Sequence, residues 1–257
     1  MLKEFSQLKV LVSNTTSIPH IDSTFAEKMD IKICALHDEP DFLDSITPTA
    51  EHSIGLLLSV WRKIPFSHLD VCSGNWNRRN WGAPKMLSKM TLGIVGFGRL
   101  GSKVAKIAIA MGMEVNFYDP YVDGSVKSLK QLASKSNVLS IHAASTPTNR
   151  GLVSKDILEA LPEGAVVINT ARGELLDTNA LLKLLKSGHL AAAALDTIDG
   201  EYFPDFTNKL RDHPLIDYAK NHQNLLITPH IGGSTIDAWT ATERFVIEKA
   251  AKALNLI

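Results

Sequence analysis

Residues Thr91 to Asp119 read TLGIVGFGRLGSKVAKIAIAMGMEVNFYD, and the fold is decided there. An apolar run, Leu92 to Val95, breaks into Gly96-Phe97-Gly98-Arg99-Leu100-Gly101. The chain then takes up a helical period, with Leu100, Val104, Ile107, Ala108 and Met111 on one stripe. A second strand-like run, Glu114 to Tyr118, ends on Asp119, eighteen residues past Gly101. Glycine-rich turns are common. A strand before, a helix after and an acid at the end of the next strand make this one read as a dinucleotide site.

Each position has a physical reason. Gly96 permits a tight strand-to-helix turn, and Gly98 lets the backbone come close to a pyrophosphate. Gly101 lets the helix pack near the strand, while the free N–H groups of the helix face the anion. Asp119 would accept hydrogen bonds from both adenosine ribose hydroxyls and repel a 2′-phosphate, which favours NAD over NADP.

The surrounding 257 residues suit one or two domains. Lys plus Arg and Asp plus Glu are 27 each, so net charge argues for neither a nucleic-acid nor a membrane partner. Two cysteines, Cys34 and Cys72, are too few for a disulfide framework or a thiolate metal site, and a reduced, cytoplasmic setting is expected. No apolar run approaches the ~20 residues of a membrane span, and the opening MLKEFSQLK lacks the apolar centre of a signal peptide.

In order, Leu8 to Ser13 reads as a buried strand, Asn14 to Ser17 as a turn, Ile21 to Met29 as a helix and Ile31 to Leu36 as a second strand. His37 to Ile46 reads as an acid-rich loop. A long helix follows, with Thr47 as N-cap, Pro48 at its first position and Pro65 as kink or stop. Cys72 to Lys89 is irregular by composition. After Asp119, strands are expected at Val138–His142, Ala165–Asn169, Leu190–Leu195 and Leu225–Thr228. Helices are expected at Lys155–Ala160 and at Thr178–Lys186, the latter closed by Gly188. Ser234 to Asp237 resembles a capping box for a last helix with Trp239, Val246 and Ala250 on its inner stripe. Regular alternation of this kind implies an α/β fold with a doubly wound parallel sheet, whose ligands bind beyond the carboxyl ends of the strands. Asp119, His142, Arg172, Asp196 and His230 all fall just past expected strand ends.

Four blocks, LGIVGFGRLG, INTARGELLD, ALDT-x-x-x-E and TPHIGG, resemble the signatures of the D-isomer-specific 2-hydroxyacid dehydrogenases in the family's own order. The ending HIGGST is similar to the phosphoglycerate dehydrogenase branch. The resemblance implies a Rossmann NAD domain and a smaller flavodoxin-like substrate domain, with boundaries at 48–235 for the first and 1–47 plus 236–257 for the second. It implies NAD as cofactor, a small 2-hydroxy or 2-oxo acid as substrate, and no metal. Arg172 would hold the substrate carboxylate and polarise its 2-oxo group with a planar two-pronged donor set. His230 would be the acid–base group, and Glu201, five residues past Asp196, would pair with it and favour the imidazolium. Cofactor contacts would come from Gly96, Phe97, Gly98, Arg99, Leu100, Gly101, Asp119, His142, Ala143, Thr170, Ala171, Asp196 and Gly232. The turn at Thr16 and Ser17 would meet the substrate carboxylate. Taken singly, Arg172, His230 and Glu201 each read more readily as solvated or structural residues; it is their joint spacing that makes the case.

Several departures bear on these expectations. Where the family usually has His-x-Pro, this chain has His142-Ala143-Ala144, and Asn149 stands for a common Thr. Thr15-Thr16-Ser17 replaces a glycine-bearing turn, so a positive φ at Ser17 would be strained. The connection between Glu201 and His230 is long, and the first βαβα portion of the substrate domain has no counterpart in the sequence. A catalytically idle NAD-binding regulatory or interaction protein on the same scaffold is the rival expectation. The apolar cluster Leu56, Leu57, Leu58, Val60 and Trp61 exceeds what one helix stripe needs, and from it a homodimer is expected.

Overall fold

In the computed structural model, residue 4 and residues 7–18 and 20–256 are described; residues 1–3, 5, 6, 19 and 257, among them most of the opening MLKEFS, lie outside them. The chain divides into two compact units, Thr49–Gly232 and Met1–Pro48 with Gly233–Ile257.

The larger unit is built on six parallel strands: β3 (Thr91–Val95), β4 (Glu114–Tyr118), β5 (Val138–Ile141), β6 (Ala165–Asn169), β7 (Leu190–Leu195) and β8 (Leu225–Ile227). Their order is β4-β3-β5-β6-β7-β8. The strands match the expected runs to within one residue at each end. They are apolar on both faces because helices cover both, as parallel sheets require. Alternate residues divide the core. Leu92, Ile94, Val138, Val166, Ile168, Ala192 and Ala194 meet α3 (Pro48–Trp61) and α5 (Arg99–Ala110) on one side. Val95, Leu139, Ile141, Val167, Ala193 and Leu195 meet α6 (Leu129–Ser134), α7 (Lys155–Glu159), α8 (Thr178–Ser187) and α10 (Pro214–Asn221) on the other.

The strand order reverses between β3 and β5, and a cleft opens at the carboxyl ends of two strands whose connections leave in opposite directions. Gly96 sits there at φ +88°, and a Cβ on it would lie 2.6 Å from the Ala143 backbone. The approach of α5 to β3 is equally tight, since a Cβ at Gly101 would come 2.1 Å from the Gly96 carbonyl oxygen.

The smaller unit pairs β1 (Val10–Val12) and β2 (Lys32–Cys34) in parallel around α1 (Ser23–Lys28), which Asp22 caps by accepting from the Phe25 N–H. Its core joins Leu36, Leu43 and Val246, with Phe42 stacked on Phe245 at 4.1 Å. Lys249 of α11 (Ile236–Ala253) bonds Glu39 at 2.6 Å.

Four expectations need correction. Residues 37–46 are not all loop: Pro40–Asp44 form α2, with Pro40 in the first turn and Leu43 buried in the core. The long helix after Pro48 is two helices, α3 and α4 (Ile64–Cys72), separated at Lys63, which takes a left-handed φ of +53°; Pro65 lies in the first turn of α4. Trp239 is 52 % exposed, because the inner stripe of α11 is Ala238, Thr242, Val246 and Ala250, and Trp239 lies about 100° off it. Leu56, Leu57 and Val60, from which surplus apolar surface was inferred, are buried in the unit's own core. Exposed apolar side chains lie instead on α4 and just beyond it, at Ile64, Leu69, Val71 and Trp76. Ser17 escapes the strain anticipated for it: among the described residues, positive φ outside glycine occurs at Asp30, Lys63, His230 and Asn255.

The closeness of α5 to β3 gives a direct stability test. Gly101→Ala adds a methyl against a backbone carbonyl and Ile94, so a loss of about 1–3 kcal/mol is expected in urea unfolding. Native stability in the variant would mean that α5 can shift without penalty.

Candidate active site

Six strand ends deliver the site. At β3, Gly98 caps α5 with no side-chain bond of its own, and a Cβ placed on it would meet nothing within 4 Å. The N-terminal turn of a twelve-residue helix therefore starts at a glycine with no side chain capping it and with open space beside the Gly98 Cα, as an anion-binding turn requires. Phe97 stacks on Phe117 at 3.8 Å, and its N–H donates to Asp119 Oδ2 at 2.8 Å. Asp119 Oδ1 accepts from the Tyr121 N–H at 2.9 Å. Each carboxylate oxygen thus keeps a lone pair for a further donor such as a ribose hydroxyl. These features fit a dinucleotide.

At the end of β5, the His142 N–H donates to the Val95 carbonyl at 2.7 Å, and its Nε2 lies 2.8 Å from Ser140 Oγ. Burial pushes the imidazole down to about 4, so His142 is neutral near pH 7. After β6, the fully buried Asn169 organises the next turn: its Oδ1 accepts from the Ala171 N–H at 3.0 Å and its Nδ2 donates to the Arg172 carbonyl at 2.9 Å. Thr170 is held from α3, 2.7 Å from Ser53 Oγ. Gly173 lies against the Ile198–Asp199 peptide, where a Cβ would be 2.0 Å from the Asp199 nitrogen.

Asp196, past β7, is 2 % exposed. Its Oδ1 accepts from Thr228 Oγ1 at 2.6 Å and the Ile231 N–H at 2.9 Å, and its Oδ2 from the Gly232 N–H at 2.8 Å. His52 of α3 places Nε2 3.2 Å from Oδ1 and 3.0 Å from Thr228 Oγ1. Because the threonine hydroxyl donates to the carboxylate, the His52 Nε2 is the donor in both contacts.

His230 follows β8 at φ +54°, a region that non-glycine residues occupy only when their surroundings hold them there. Its N–H donates to the Asp196 carbonyl at 2.8 Å. Its Nδ1 lies 3.0 Å from Glu201 Oε1, with side chains 33 % and 14 % exposed respectively. Nε2 has no protein partner among the described residues. Tyr202 stands against the same ring. Burial raises its phenol above the ordinary value, the Arg172 charge opposes this, and Glu201 and Glu174 reinforce it, so Arg172, Glu174, Glu201, Tyr202 and His230 form one electrostatic neighbourhood.

Arg172, Glu201 and His230 are legible in the sequence, whereas the residues around them, His52, Ser53, Asn169, Thr228 and Tyr202, are assigned no role by any sequence motif. Thr16 and Ser17 lie in the smaller unit, where Thr15 Oγ1 donates to the Ser17 carbonyl at 2.7 Å. Among the described residues no helix is long and apolar enough to cross a membrane, and no group of three or more His, Cys, Asp or Glu could hold a metal.

Residues 54–232 match the family model of the D-isomer specific 2-hydroxyacid dehydrogenase NAD binding domain. The chain is 32 % identical over 246 residues to the D-3-phosphoglycerate dehydrogenase of Bacillus subtilis, covering 93 % of this chain and 44 % of that protein. To the D-3-phosphoglycerate dehydrogenase of Methanocaldococcus jannaschii it is 30 % identical, covering 99 % of this chain and 47 % of that one. It thus spans about half the length of these curated relatives. The crystal structure of D-lactate dehydrogenase from Aquifex aeolicus, complexed with NAD and lactic acid, superposes with a TM-score of 0.81 at 26 % identity, covering 99 % of this chain and 79 % of that one.

His142 sets a pH dependence. Folding depresses its pKa from 6.5 to about 4, so the unfolded chain takes up the proton first as pH falls. Stability from this group is complete above pH 6.5 and is lost progressively down to about pH 4. At ~1.4 kcal/mol per unit the loss approaches about 3 kcal/mol. Urea unfolding of the native protein and of His142→Gln at pH 7, 5.5 and 4.5 should diverge by that amount. Parallel pH curves would show that His142 charges freely in the folded state.

Proposed function

The chain belongs to the D-isomer-specific 2-hydroxyacid dehydrogenase family and carries its NAD-binding domain, and from this we propose that it is an oxidoreductase acting on C2 of a small 2-oxo or D-2-hydroxy acid. NAD, when bound, supplies or accepts the hydride. The observation that carries the reading is the His230–Glu201 pair, a half-buried imidazole held by a carboxylate on one nitrogen with the other nitrogen free.

In this reading the Gly96–Gly101 turn and Asp119 hold the pyrophosphate and the adenosine ribose, and the charge of Asp119 selects NAD over NADP. Phe97, Arg99, Leu100, His142, Ala143, Thr170, Ala171 and Gly232 line the rest of the cofactor's path. Asp196, whose Oδ2 accepts one N–H among the described residues, has capacity left for the nicotinamide carboxamide. Arg172 binds the substrate carboxylate and polarises the 2-oxo group. His230 Nε2 gives its proton to the carbonyl oxygen in reduction and recovers it in oxidation, while Glu201 stabilises the charged ring. The rival, an idle scaffold, leaves the free Nε2 and its ordered partner without a physical reason.

Two further elements belong to the proposal. A cytoplasmic setting fits Cys34 and Cys72, both free thiols. For a homodimer we point to the exposed apolar side chains Ile64, Leu69, Val71 and Trp76 on and just beyond α4, surface of a kind that a second copy can cover.

His230→Ala should lower turnover of 2-oxo acids by roughly 10²- to 10⁴-fold while NADH binding stays within about twofold. Glu201→Gln should fall between the two, since the imidazolium loses its counter-charge. Wild-type turnover in His230→Ala would sink the mechanism. Light scattering at micromolar concentration should give the mass of two chains, and Leu69→Lys with Trp76→Lys should return that of one. A native monomer contradicts the dimer.

A further inference from the structure

His52 reaches Asp196 from α3, with Nε2 3.2 Å from Oδ1 and 3.0 Å from Thr228 Oγ1. The Thr228 hydroxyl gives its own hydrogen to the same Oδ1, at 2.6 Å. Both atoms that face Nε2 are therefore acceptors, and the imidazole serves them with one N–H, in the neutral ring as in the charged one. That N–H acts twice. It is a direct donor to a buried carboxylate, and it occupies a lone pair of the threonine oxygen, which leaves the hydroxyl hydrogen directed at Asp196. Oδ1 then receives His52, Thr228 and the Ile231 N–H. Among the described residues Oδ2 receives the Gly232 N–H alone. The two oxygens of one carboxylate are thus made unequal, Oδ1 crowded and Oδ2 with room for a further donor.

We propose that His52 is a positioning residue for the cofactor: by crowding Oδ1 it holds Asp196 turned so that Oδ2 accepts from the amino group of the nicotinamide carboxamide. The inference rests on the reading of Asp196 as the carboxamide acceptor. The Cβ–Cγ torsion of an aspartate is broad and roughly two-fold, so the direction of its oxygens comes from hydrogen bonds and not from a rotamer well. Without the His52 N–H, Oδ1 loses one donor outright. The Thr228 hydroxyl also loses the contact that orients it. The oxygens become more nearly equivalent, and the carboxylate no longer presents one of them in a fixed direction. The cofactor contact that depends on this direction is the one with a hydrogen to donate, the carboxamide amino group.

Calorimetric titration with NADH and with reduced 3-acetylpyridine adenine dinucleotide tests this without turnover. The analogue has a methyl group where the carboxamide has its amino group. Native protein should bind NADH roughly tenfold or more tightly than the analogue, the effect of one hydrogen bond to a charged acceptor. His52→Phe keeps a ring and removes the donor. It should weaken NADH while leaving the analogue within about twofold, so that the preference falls to roughly threefold or less. His52→Gln, whose amide nitrogen returns a donor, should restore most of it. If urea unfolding shows that His52→Phe is not folded, His52→Asn, whose amide is too short to reach, takes its place with the same expectation. A preference that survives the loss of the donor overturns the proposal. So does an equal weakening of both dinucleotides, which is what a merely structural role would give, and so does a His52→Gln no better than His52→Phe. A native protein without any preference for NADH shows instead that Asp196 does not receive the carboxamide, and the reading beneath the proposal fails first.

Discussion

The site depends on one buried carboxylate. Removing Asp196 from water carries a penalty of several kcal/mol, and four donors offset it: the Thr228 hydroxyl, the Ile231 and Gly232 N–H groups and the His52 imidazole. Three of those donors belong to the segment that follows β8. The carboxylate gathers that segment into a turn, and the Asp196 carbonyl takes the His230 N–H as well. His230 is left at φ +54°, which costs of order 1–3 kcal/mol for a residue with a side chain and persists only where the surroundings over-determine it. Gly232 completes the arrangement, because a Cβ there would come 2.8 Å from Asp196 Oδ2.

The helix α3 fixes the same turn from the sheet's flank. Consecutive residues reach two strand ends: His52 meets Thr228 past β8, and Ser53 meets Thr170 past β6. Asn169 performs at β6 what Asp196 performs at β7, tying its own loop with both ends of its amide. Arg172 and His230 therefore descend from two separately braced turns. Their relation is set by the sheet and does not depend on their touching each other.

Most of this frame could be read from the sequence. Continuous apolar runs bounded by glycine and polar residues located β3 to β8 because a two-sided parallel sheet has no polar face to blur the signal. Gly188 past α8 marks a helix end because it has a single local task, a left-handed closure, whereas the capping box read at Ser234 to Asp237 lies one residue early, Thr235 being the hydroxyl cap of α11. What escaped was long-range. Nothing local distinguishes His52 from a solvated histidine on a helix; its partners, Thr228 and Asp196, lie more than a hundred residues away in sequence. Tyr202 sits in a connection with no periodicity. Trp239 was misplaced for a simpler reason: a large apolar residue beside a helical stripe counts as part of it until the packing of Ala238, Thr242 and Val246 fixes the inward direction. Leu56, Leu57 and Val60 were over-counted because α3 lies across a sheet, whose flat surface takes a wider stripe than a neighbouring helix would.

Two carboxylate–imidazole pairs stand within this unit, and their surroundings assign them different tasks. His52 and Asp196 form the structural pair: the carboxylate is buried, the bonds it makes to the protein tie one turn together, and a proton moving there would break the hydrogen bonds that hold that turn. His230 and Glu201 have the same chemical groups at a similar distance, but the imidazole is one-third exposed and presents a nitrogen without a partner among the described residues. A pair can exchange a proton with a bound molecule only if one of its nitrogens is left over. The strained backbone of His230 directs that nitrogen outward, and the buried pair supplies the constraint that keeps the strain in place. The chemistry of one pair is therefore maintained by the inertness of the other.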